Sequence, residues 1–327
     1  MKALDRDSAI ERMNVLGGIS TPFLFVISYR MEENYVIPLS ELEESDFLVH
    51  MPSHPNASRK EGGCTPGLDV LEPVSYERYS EAFRKVTDEI RRGNSYLLNL
   101  TFPTRVRSSC SPEELFHRAS APYKLMMKGR FLLFSPEIFL RIRAREISSF
   151  PMKGTIDADL PGAADTLLKD AKESAEHNTI VDLIRNDLSM VATQVRVKRF
   201  RYLEEIKTTS KNLLQASSEI TGILNQNYAG TIGDIVFTQL PAGSVTGAPK
   251  KKTLDIIEDA EQYERGFYTG VFGIFDGENL DSAVMIRFLE ESADGTLWYK
   301  SGGGITAFSS AEKEYQELID KVYVPVV

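Results

Sequence analysis

The chain has 327 residues, of which 42% are hydrophobic and 26% charged, a composition typical of a globular protein that buries a large core. A formal net charge of −9, with no run of more than three consecutive Lys or Arg residues, argues against a nucleic-acid partner. The first residues lack the apolar stretch of a signal peptide, and no apolar run is long enough to span a membrane. Together with only two cysteines, these features predict a cytoplasmic, enzyme-sized protein whose thiols are reduced.

The first half of the chain is predicted to contain helices separated by runs of strands. Apolar residues recur at helical spacing from Tyr76 to Ile90, and Gly93 follows them as a helix terminator. The stretch 52–67 is rich in Pro, Gly, Ser and charge, which predicts a surface loop. The other predicted elements are helices at 8–16 and 113–120 and strands at 23–29, 34–38, 46–50 and 96–102.

The second half of the chain begins with several strands between residues 123 and 150. The elements predicted after them are one long helix at 163–191, helices at 232–239, 251–262 and 309–321, and strands at 195–207, 212–222, 267–275, 280–289 and 296–305. Because strands follow one another without regular alternation with helices, the pattern favours an α+β fold with largely antiparallel sheets. We expect one compact unit.

Two predicted turns carry groups suited to acid–base or covalent chemistry. Lys153 stands between Pro-Met and Gly-Thr, where the backbone must turn, and Glu137 follows an apolar run that predicts a strand. An amine and a carboxyl held in this way are able to act as a nucleophile and a general acid. Taken singly, each residue is better explained as a turn lysine or a capping glutamate.

Two predicted helices each carry a pair of glutamates three residues apart. Glu173 and Glu176 share one face of the long helix, and Glu314 and Glu317 share one face of the last helix. Like charges on one helix face repel each other, and a cation shared by both pairs would offset that repulsion. Ligands that are all oxygen suit Mg²⁺. The alternative is two solvated helix faces, which the spacing alone favours.

Two glycine-containing segments have the small residues and hydroxyls of an anion-binding loop. One spans residues 241–250, although its spacing is not that of a P-loop, and the other follows a predicted strand and is alternatively a flexible connection. Arg287 lies inside an apolar strand and needs a partner, which a bound carboxylate would provide. The features together indicate a small polyanionic substrate. The candidate binding residues of the two segments are Ser244, Thr246, Gly247, Gly302, Gly303 and Gly304.

Several of these segments, in this order, resemble those of the chorismate-utilising enzymes, and most closely the branch of aminodeoxychorismate synthase component I (para-aminobenzoate synthase component I). The resemblance covers roughly residues 75–325. The matching segments are 135–137, 151–155, 172–177, 181–188, 241–250, 265–270, 286–287, 301–305 and 314–317.

The resemblance implies a fold and a domain organisation. The fold is a four-layer α/β/β/α arrangement with two largely antiparallel sheets, in agreement with the α+β pattern. Residues 71–327 would form the chorismate-binding catalytic domain, and residues 1–70 a short N-terminal part packed on it.

The resemblance also implies roles for the candidate residues. Mg²⁺ would bridge the glutamate pairs and the ring carboxylate of chorismate, with Glu176 and Glu317 favoured as direct ligands and Glu173 and Glu314 bound directly or through water. Glu137 would be the general acid at the C4 hydroxyl. The groups implied to hold the substrate carboxylates are Ser244, Tyr268, Arg287 and the backbone of Gly302, Gly303 and Gly304.

Two positions separate the branches of this family. Leu97 stands where isochorismate and salicylate synthases carry a water-activating lysine, so the resemblance implies that water is not activated for attack at C2. Lys153 stands where anthranilate synthases usually carry a small residue. In aminodeoxychorismate synthases this lysine is implied to attack C2 and form a covalent intermediate, and ammonia then adds at C4.

The implied reaction is Mg²⁺-dependent amination of chorismate at C4 for para-aminobenzoate and folate synthesis. Neither cysteine lies in the nucleophile turn of a glutaminase, so ammonia is expected from a separate glutamine amidotransferase subunit. Gln215 replaces a family histidine, which weakens the alternative of an anthranilate synthase component I. A further alternative is a catalytically silent scaffold subunit with the same fold.

Overall fold

The computed structural model describes residues 2–55, 64–207 and 212–326, so the predicted loop at 52–67 lies partly outside the described residues. The helices are α1 (Arg6–Gly18), α2 (Tyr76–Arg91), α3 (Pro112–Arg118), α4 (Ala163–Lys169), α5 (Ala171–Ser189), α6 (Ile232–Thr238), α7 (Gly243–Thr246), α8 (Lys250–Glu261) and α9 (Ala311–Asp320), with 3-10 turns at Leu39–Glu44 and Tyr228–Thr231.

The strands come in consecutive runs between these helices, as the sequence pattern predicts. They are β1 (Phe23–Ile27), β2 (Asn34–Pro38), β3 (Phe47–His50), β4 (Asp69–Glu72), β5 (Leu97–Arg107), β6 (Tyr123–Met127), β7 (Phe131–Ser135), β8 (Ile138–Arg143), β9 (Glu146–Ser149), β10 (Met152–Asp157), β11 (Thr193–Lys207), β12 (Asn212–Ile223), β13 (Gly247–Ala248), β14 (Val271–Phe275), β15 (Leu280–Val284), β16 (Phe288–Glu291) and β17 (Leu297–Ile305).

The described strands form two sheets, and all of their pairings are antiparallel. The first sheet has 9 strands in the order β10-β12-β9-β8-β15-β14-β1-β2, with β11 also paired to β12. The second has 8 strands in the order β13-β5-β17-β16-β7-β6-β3, with β4 also paired to β5. The first 70 residues contribute β1 and β2 to the first sheet and β3 to the second, so no sheet boundary falls at residue 70.

Strand β1 shows why the sheets pack as layers. Its side chains alternate between two apolar clusters: Phe23, Phe25 and Ile27 pack with helices α1, α5 and α6, whereas Leu24 and Val26 pack between the two sheets. A third cluster joins α2, α8 and α9 to β5 and β17 of the second sheet. The order is therefore helices, sheet, sheet, helices, which confirms the predicted α+β, four-layer fold.

The chain crosses from one sheet to the other at two adjacent points. The first crossing, at 135–137, leads from β7 to β8, and the second, at 285–287, leads from β15 to β16. Backbone hydrogen bonds join them, because Val284 N donates to Glu137 O at 3.1 Å and Phe134 N donates to Arg287 O at 3.2 Å. The predicted single strand at 280–289 is thus wrong: its two halves belong to different sheets and are separated at Arg287, which has a φ of 53°.

Two predicted helices differ from the observed ones for identifiable reasons. Helix α1 continues through Gly17 and Gly18. Gly17 packs so closely on the Tyr228–Thr231 turn that a Cβ would lie 2.1 Å from the Ala229 carbonyl oxygen, so the glycine is required for packing and does not end the helix. The predicted helix at 163–191 is two helices. Asp170 leaves the helical conformation with a ψ of 117°, and its side chain caps α5 by accepting from Glu173 N at 2.9 Å.

The two cysteines are joined, which corrects the expectation of reduced thiols. Cys64 and Cys110 form a disulfide across a sequence separation of 46 residues, linking the segment before β4 to the turn before α3. Cys110 is buried, and Arg118 donates from its guanidinium to the Cys64 carbonyl oxygen. Within the described ranges, no helix is both long and apolar enough to cross a membrane.

We predict that the disulfide contributes measurably to stability. Replacing Cys110 with Ser should lower the free energy of unfolding by about 2–4 kcal/mol relative to the oxidised protein, because the cross-link restricts the unfolded chain. Denaturant unfolding with and without reductant measures this difference. The same comparison in reductant is the control, since both proteins then lack the bond. Two reactive thiols in unreduced, denatured wild-type protein would contradict the pairing.

Candidate active site

A cavity of about 600 Å³ opens where the two chain crossings meet the end of β17. Its wall carries most of the residues predicted from the sequence to form the site. The predicted residues that line it are Glu137, Lys153, Glu173, Glu176, Ser244, Tyr268, Arg287, Gly302, Gly303, Gly304, Glu314 and Glu317.

Two predicted residues do not line this cavity in the described part of the chain. Thr246 is fully buried at the end of α7. Gly247 begins β13 and has a φ of 126°, and a Cβ on it would lie 1.9 Å from the Leu97 carbonyl oxygen. A glycine is therefore needed at 247 for the pairing of β13 with β5, rather than for contact with a ligand in this cavity.

The glycines of β17 provide room at the centre of the cavity. A Cβ on Gly304 would lie 3.1 Å from Lys153 Nζ and 3.8 Å from Glu176 Oε2. A Cβ on Gly303 would lie 3.4 Å from Glu314 Oε2. Strand β16 begins at Phe288, opposite Lys300, and so pairs with β17 only up to that residue. Beyond Lys300, among the described residues, β17 is bordered by β5 on one side and by the cavity on the other. Its backbone is therefore accessible to a ligand.

Lys153 enters the cavity from an irregular part of β10. The pairing with β12 shifts between Lys153 and Thr155, and the intervening Gly154 has a φ of 75°. Such a bulge changes the direction of a side chain relative to the rest of its strand. The Lys153 amine lies 3.9 Å from Glu176 Oε2, and its side chain is only 20% exposed. The predicted turn lysine is thus a cavity residue with a carboxylate beside it.

Glu137 lies at the first chain crossing, where its backbone N–H donates to Ser135 Oγ at 3.1 Å. Burial raises the pKa of this carboxyl, although a hydrogen bond to Ser244 and the positive charges of Lys153, Arg287 and Lys321 oppose the shift. A carboxyl with a raised pKa keeps its proton to higher pH. The group is therefore suited to donate a proton to a leaving oxygen.

The four glutamates approach the cavity from two helices of different layers. Glu176 on α5 and Glu314 on α9 are buried, and Glu317 pairs with Lys321 Nζ at 2.7 Å. Carboxylate oxygens are the ligands that Mg²⁺ prefers, so the four glutamates are chemically suitable ligands for this ion. Across the described residues, no three acidic, His or Cys side chains are close enough together to form a ready metal cluster. The protein side chains thus offer donors from opposite walls.

Arg287 lies at the second chain crossing and extends toward the cavity. The guanidinium carbon is 4.8 Å from the centre of the Tyr323 ring. Tyr268 lines the same wall, and burial raises the pKa of its hydroxyl group well above the ordinary value. The wall therefore combines a fixed positive charge with a neutral phenol, which suits an anionic ligand.

Sequence reasoning missed two lysines of the cavity, of which Lys300 is buried and Lys321 is partly exposed. Lys321 Nζ donates to the Gly302 carbonyl oxygen at 2.7 Å, and Lys300 Nζ donates to the Arg265 carbonyl oxygen at 3.0 Å. Burial lowers the pKa of both amines, and the nearby carboxylates Glu317 and Glu290 oppose the shift. Lys321 follows Glu317 by four residues, so helical spacing was the available signal.

The loop that carries Ser244 is held from both sides. Lys250 forms an ion pair with Asp187 at 2.7 Å and donates to the Gln239 carbonyl oxygen at 2.8 Å. The buried Arg265 donates to the Val245 carbonyl oxygen at 3.0 Å and to the Asn99 carbonyl oxygen at 2.6 Å. These contacts hold the backbone of the segment that carries Ser244 in place at the cavity wall.

The two residues that depart from the family pattern also lie at the site. Leu97 is 2% exposed, and its Cδ1 would lie 3.1 Å from a Cβ on Gly304, the same distance as Lys153 Nζ. Leu97 therefore presents an apolar surface close to the amine. Gln215 lines the cavity from β12, where its backbone pairs with that of Thr155.

Comparison with known proteins identifies the family. The model of the family described as chorismate binding enzyme matches residues 24–326. The chain is 47% identical to a Haemophilus influenzae protein named "Uncharacterized PabA-like protein" over 97% of this chain and 96% of that one. It is 33% identical to aminodeoxychorismate synthase component 1 of Escherichia coli, over 78% of this chain and 58% of that protein. The chain belongs to the chorismate-binding enzymes.

A solved structure supports the fold. Anthranilate synthase component I from Streptococcus pneumoniae superposes with a TM-score of 0.68 at 24% identity, covering 90% of this chain and 69% of that one. At this identity the similarity concerns the arrangement of the layers and sheets. The chemistry of the cavity is therefore inferred from the residues that line it in this protein.

We predict that Glu137 destabilises the folded protein at neutral pH. Its pKa is higher in the folded than in the unfolded protein, so ionisation of Glu137 lowers the free energy of unfolding. This loss of stability is absent below the ordinary pKa of a glutamate and grows as the pH rises toward the pKa of the folded protein. Glu137→Gln should therefore melt at the same temperature as wild type near pH 4 and a few degrees higher near pH 8. Thermal melts across this range measure the difference, with the exposed Glu77→Gln as control. A Glu137→Gln variant less stable than wild type at pH 8 would contradict the raised pKa.

Proposed function

We propose that this protein aminates chorismate at C4 to give 4-amino-4-deoxychorismate, a step toward para-aminobenzoate and folate. The observation that carries the proposal is the position of Lys153. Its amine lies in the cavity near the apolar Leu97, and Glu137 with its raised pKa lines the same cavity. The E. coli relative named aminodeoxychorismate synthase component 1 supports the same reaction.

The proposed reaction has two bond exchanges. The Lys153 amine forms a bond to C2 of chorismate while the C4 hydroxyl leaves as water with the proton of Glu137, and the ring double bonds shift between these carbons. Ammonia then forms a bond to C4, the bond from C2 to Nζ breaks, and the lysine is restored. Nucleophilic catalysis of this kind replaces one difficult substitution with two easier ones.

The apolar surface of Leu97 has a part in this sequence. A lysine or other base at 97 would activate water beside C2, whereas a leucine side chain donates and accepts no proton. Occupation of C2 by Lys153 then leaves C4 as the carbon that receives nitrogen. The pair of residues explains the choice of carbon and the exclusion of hydrolysis.

Binding of chorismate would use the other groups of the cavity. Arg287, Tyr268, Ser244 and the backbone of β17 are placed to hold its carboxylates. We propose that Mg²⁺ is held by Glu176 and Glu317, with Glu173 and Glu314 bound directly or through water, and that it neutralises the ring carboxylate. A separate glutamine amidotransferase subunit would supply ammonia.

Incubation with chorismate, Mg²⁺ and ammonium, followed by identification of products by mass, tests the proposal. We expect 4-amino-4-deoxychorismate from wild type and its loss or diversion in Lys153→Ala, while the exposed Lys251→Ala keeps wild-type turnover. Anthranilate with pyruvate as the main product would move the assignment to anthranilate synthase component I. Isochorismate or salicylate would exclude amination. A protein that binds neither chorismate nor Mg²⁺ in calorimetry would be a scaffold subunit.

The metal proposal has its own test. Glu176→Gln and Glu314→Gln remove a charge from each wall of the cavity, so each should weaken Mg²⁺ binding in the presence of chorismate by about tenfold or more. Titration calorimetry and the Mg²⁺-dependent rise in melting temperature measure the effect. Glu312→Gln, on the exposed face of α9, is the matched control. Equal Mg²⁺ affinity in all four proteins would remove these glutamates from the metal site.

A further inference from the structure

The segment after α9 packs against the second sheet beside the cavity. Val322 and Val324 are buried among residues of the second sheet, while Tyr323 between them is 44% exposed. The hydroxyl of Tyr299 donates to the Tyr323 carbonyl oxygen at 3.1 Å, and Ser120 N donates to the Pro325 carbonyl oxygen at 2.8 Å. Tyr323 is thus held by the backbone and by both neighbours, which fixes where its ring lies.

The Tyr323 ring lies against the guanidinium of Arg287, with 4.8 Å between the guanidinium carbon and the ring centre. A guanidinium stacks through its flat face, whereas it binds a carboxylate through the N–H groups along its edge. The two interactions are therefore compatible. An aromatic ring at this distance restricts the side chain of Arg287, and contact through the flat face would leave the edge for a ligand in the cavity.

The surroundings of Arg287 make such a restraint useful. Lys321 and Lys153 line the same cavity and repel the guanidinium, while Glu137 has a raised pKa and offers little negative charge when protonated. Arg287 also lies at a chain crossing with a φ of 53°, so its side chain starts from an uncommon backbone conformation. Without the ring, other rotamers of Arg287 would become accessible.

We propose that Tyr323 is a positioning residue for the substrate: it holds Arg287 in the orientation that binds a carboxylate of chorismate. This inference rests on the proposed function for the identity of the ligand, but the contact between Tyr323 and Arg287 does not. The C-terminal segment is then a part of the binding site, although Tyr323 itself does not touch the cavity.

The test compares three side chains at position 323. Tyr323→Phe keeps the ring, and Tyr323→Leu keeps apolar bulk for the packing of Val322 and Val324 but removes the π-face. We expect Tyr323→Leu to raise the KM for chorismate about three- to tenfold with little change in kcat, and Tyr323→Phe to stay within about twofold of wild type, because a cation–π contact of this kind is modest. Phe308→Leu, at an aromatic that is 73% exposed, is the control for surface effects.

A second readout does not depend on chorismate. Phenylglyoxal modifies arginines, and peptide mass spectrometry measures its rate at Arg287. The rate should rise severalfold in Tyr323→Leu and stay unchanged in Tyr323→Phe, because only leucine exposes the face of the guanidinium. Wild-type labelling and wild-type KM in Tyr323→Leu would overturn the proposal. If wild type fails to bind chorismate, the proposed function fails, and the labelling rates alone still decide whether Tyr323 restrains Arg287.

Discussion

The two adjacent crossings of the chain between its sheets are the constraint on which the site depends. Glu137 lies between β7 of the second sheet and β8 of the first, and Arg287 lies between β15 of the first sheet and β16 of the second. Two backbone hydrogen bonds join the two crossings and fix the distance between them. A carboxyl and a guanidinium are thereby held within one wall by the register of both sheets rather than by a flexible loop. The remaining groups are then placed around this wall by β10, β17 and the helices.

Burial and charge oppose each other throughout the cavity. Burial raises the pKa of Glu137 and lowers the pKa of Lys300 and Lys321, so each of these groups is shifted toward its neutral form. The Glu317 carboxylate, 2.7 Å from Lys321 Nζ, opposes the shift of that amine. The cavity therefore presents amines, carboxyl groups and a guanidinium within reach of a bound ligand.

Local sequence patterns predicted the residues that line the cavity better than they predicted the long-range contacts around those residues. The glutamate pairs, the lysine turn and the glycines of β17 are each visible within a few residues, because their chemistry requires a particular spacing. The break at Arg287 was not predictable, since both halves of 280–289 are apolar and a change of sheet leaves no mark in the hydrophobic pattern. The Cys64–Cys110 bond and the contact of Tyr323 with Arg287 join distant positions, which composition and periodicity do not report.

The location of several site groups near residue 320 has a consequence for synthesis of the protein. Glu314, Glu317, Lys321 and Tyr323 are translated after every strand of both sheets. While the ribosome still covers them, it also covers β17, so the second sheet is not yet closed between β5 and β16 and one wall of the cavity is missing. The cavity around Lys153 would thus be completed only when translation has passed β17 and this helix.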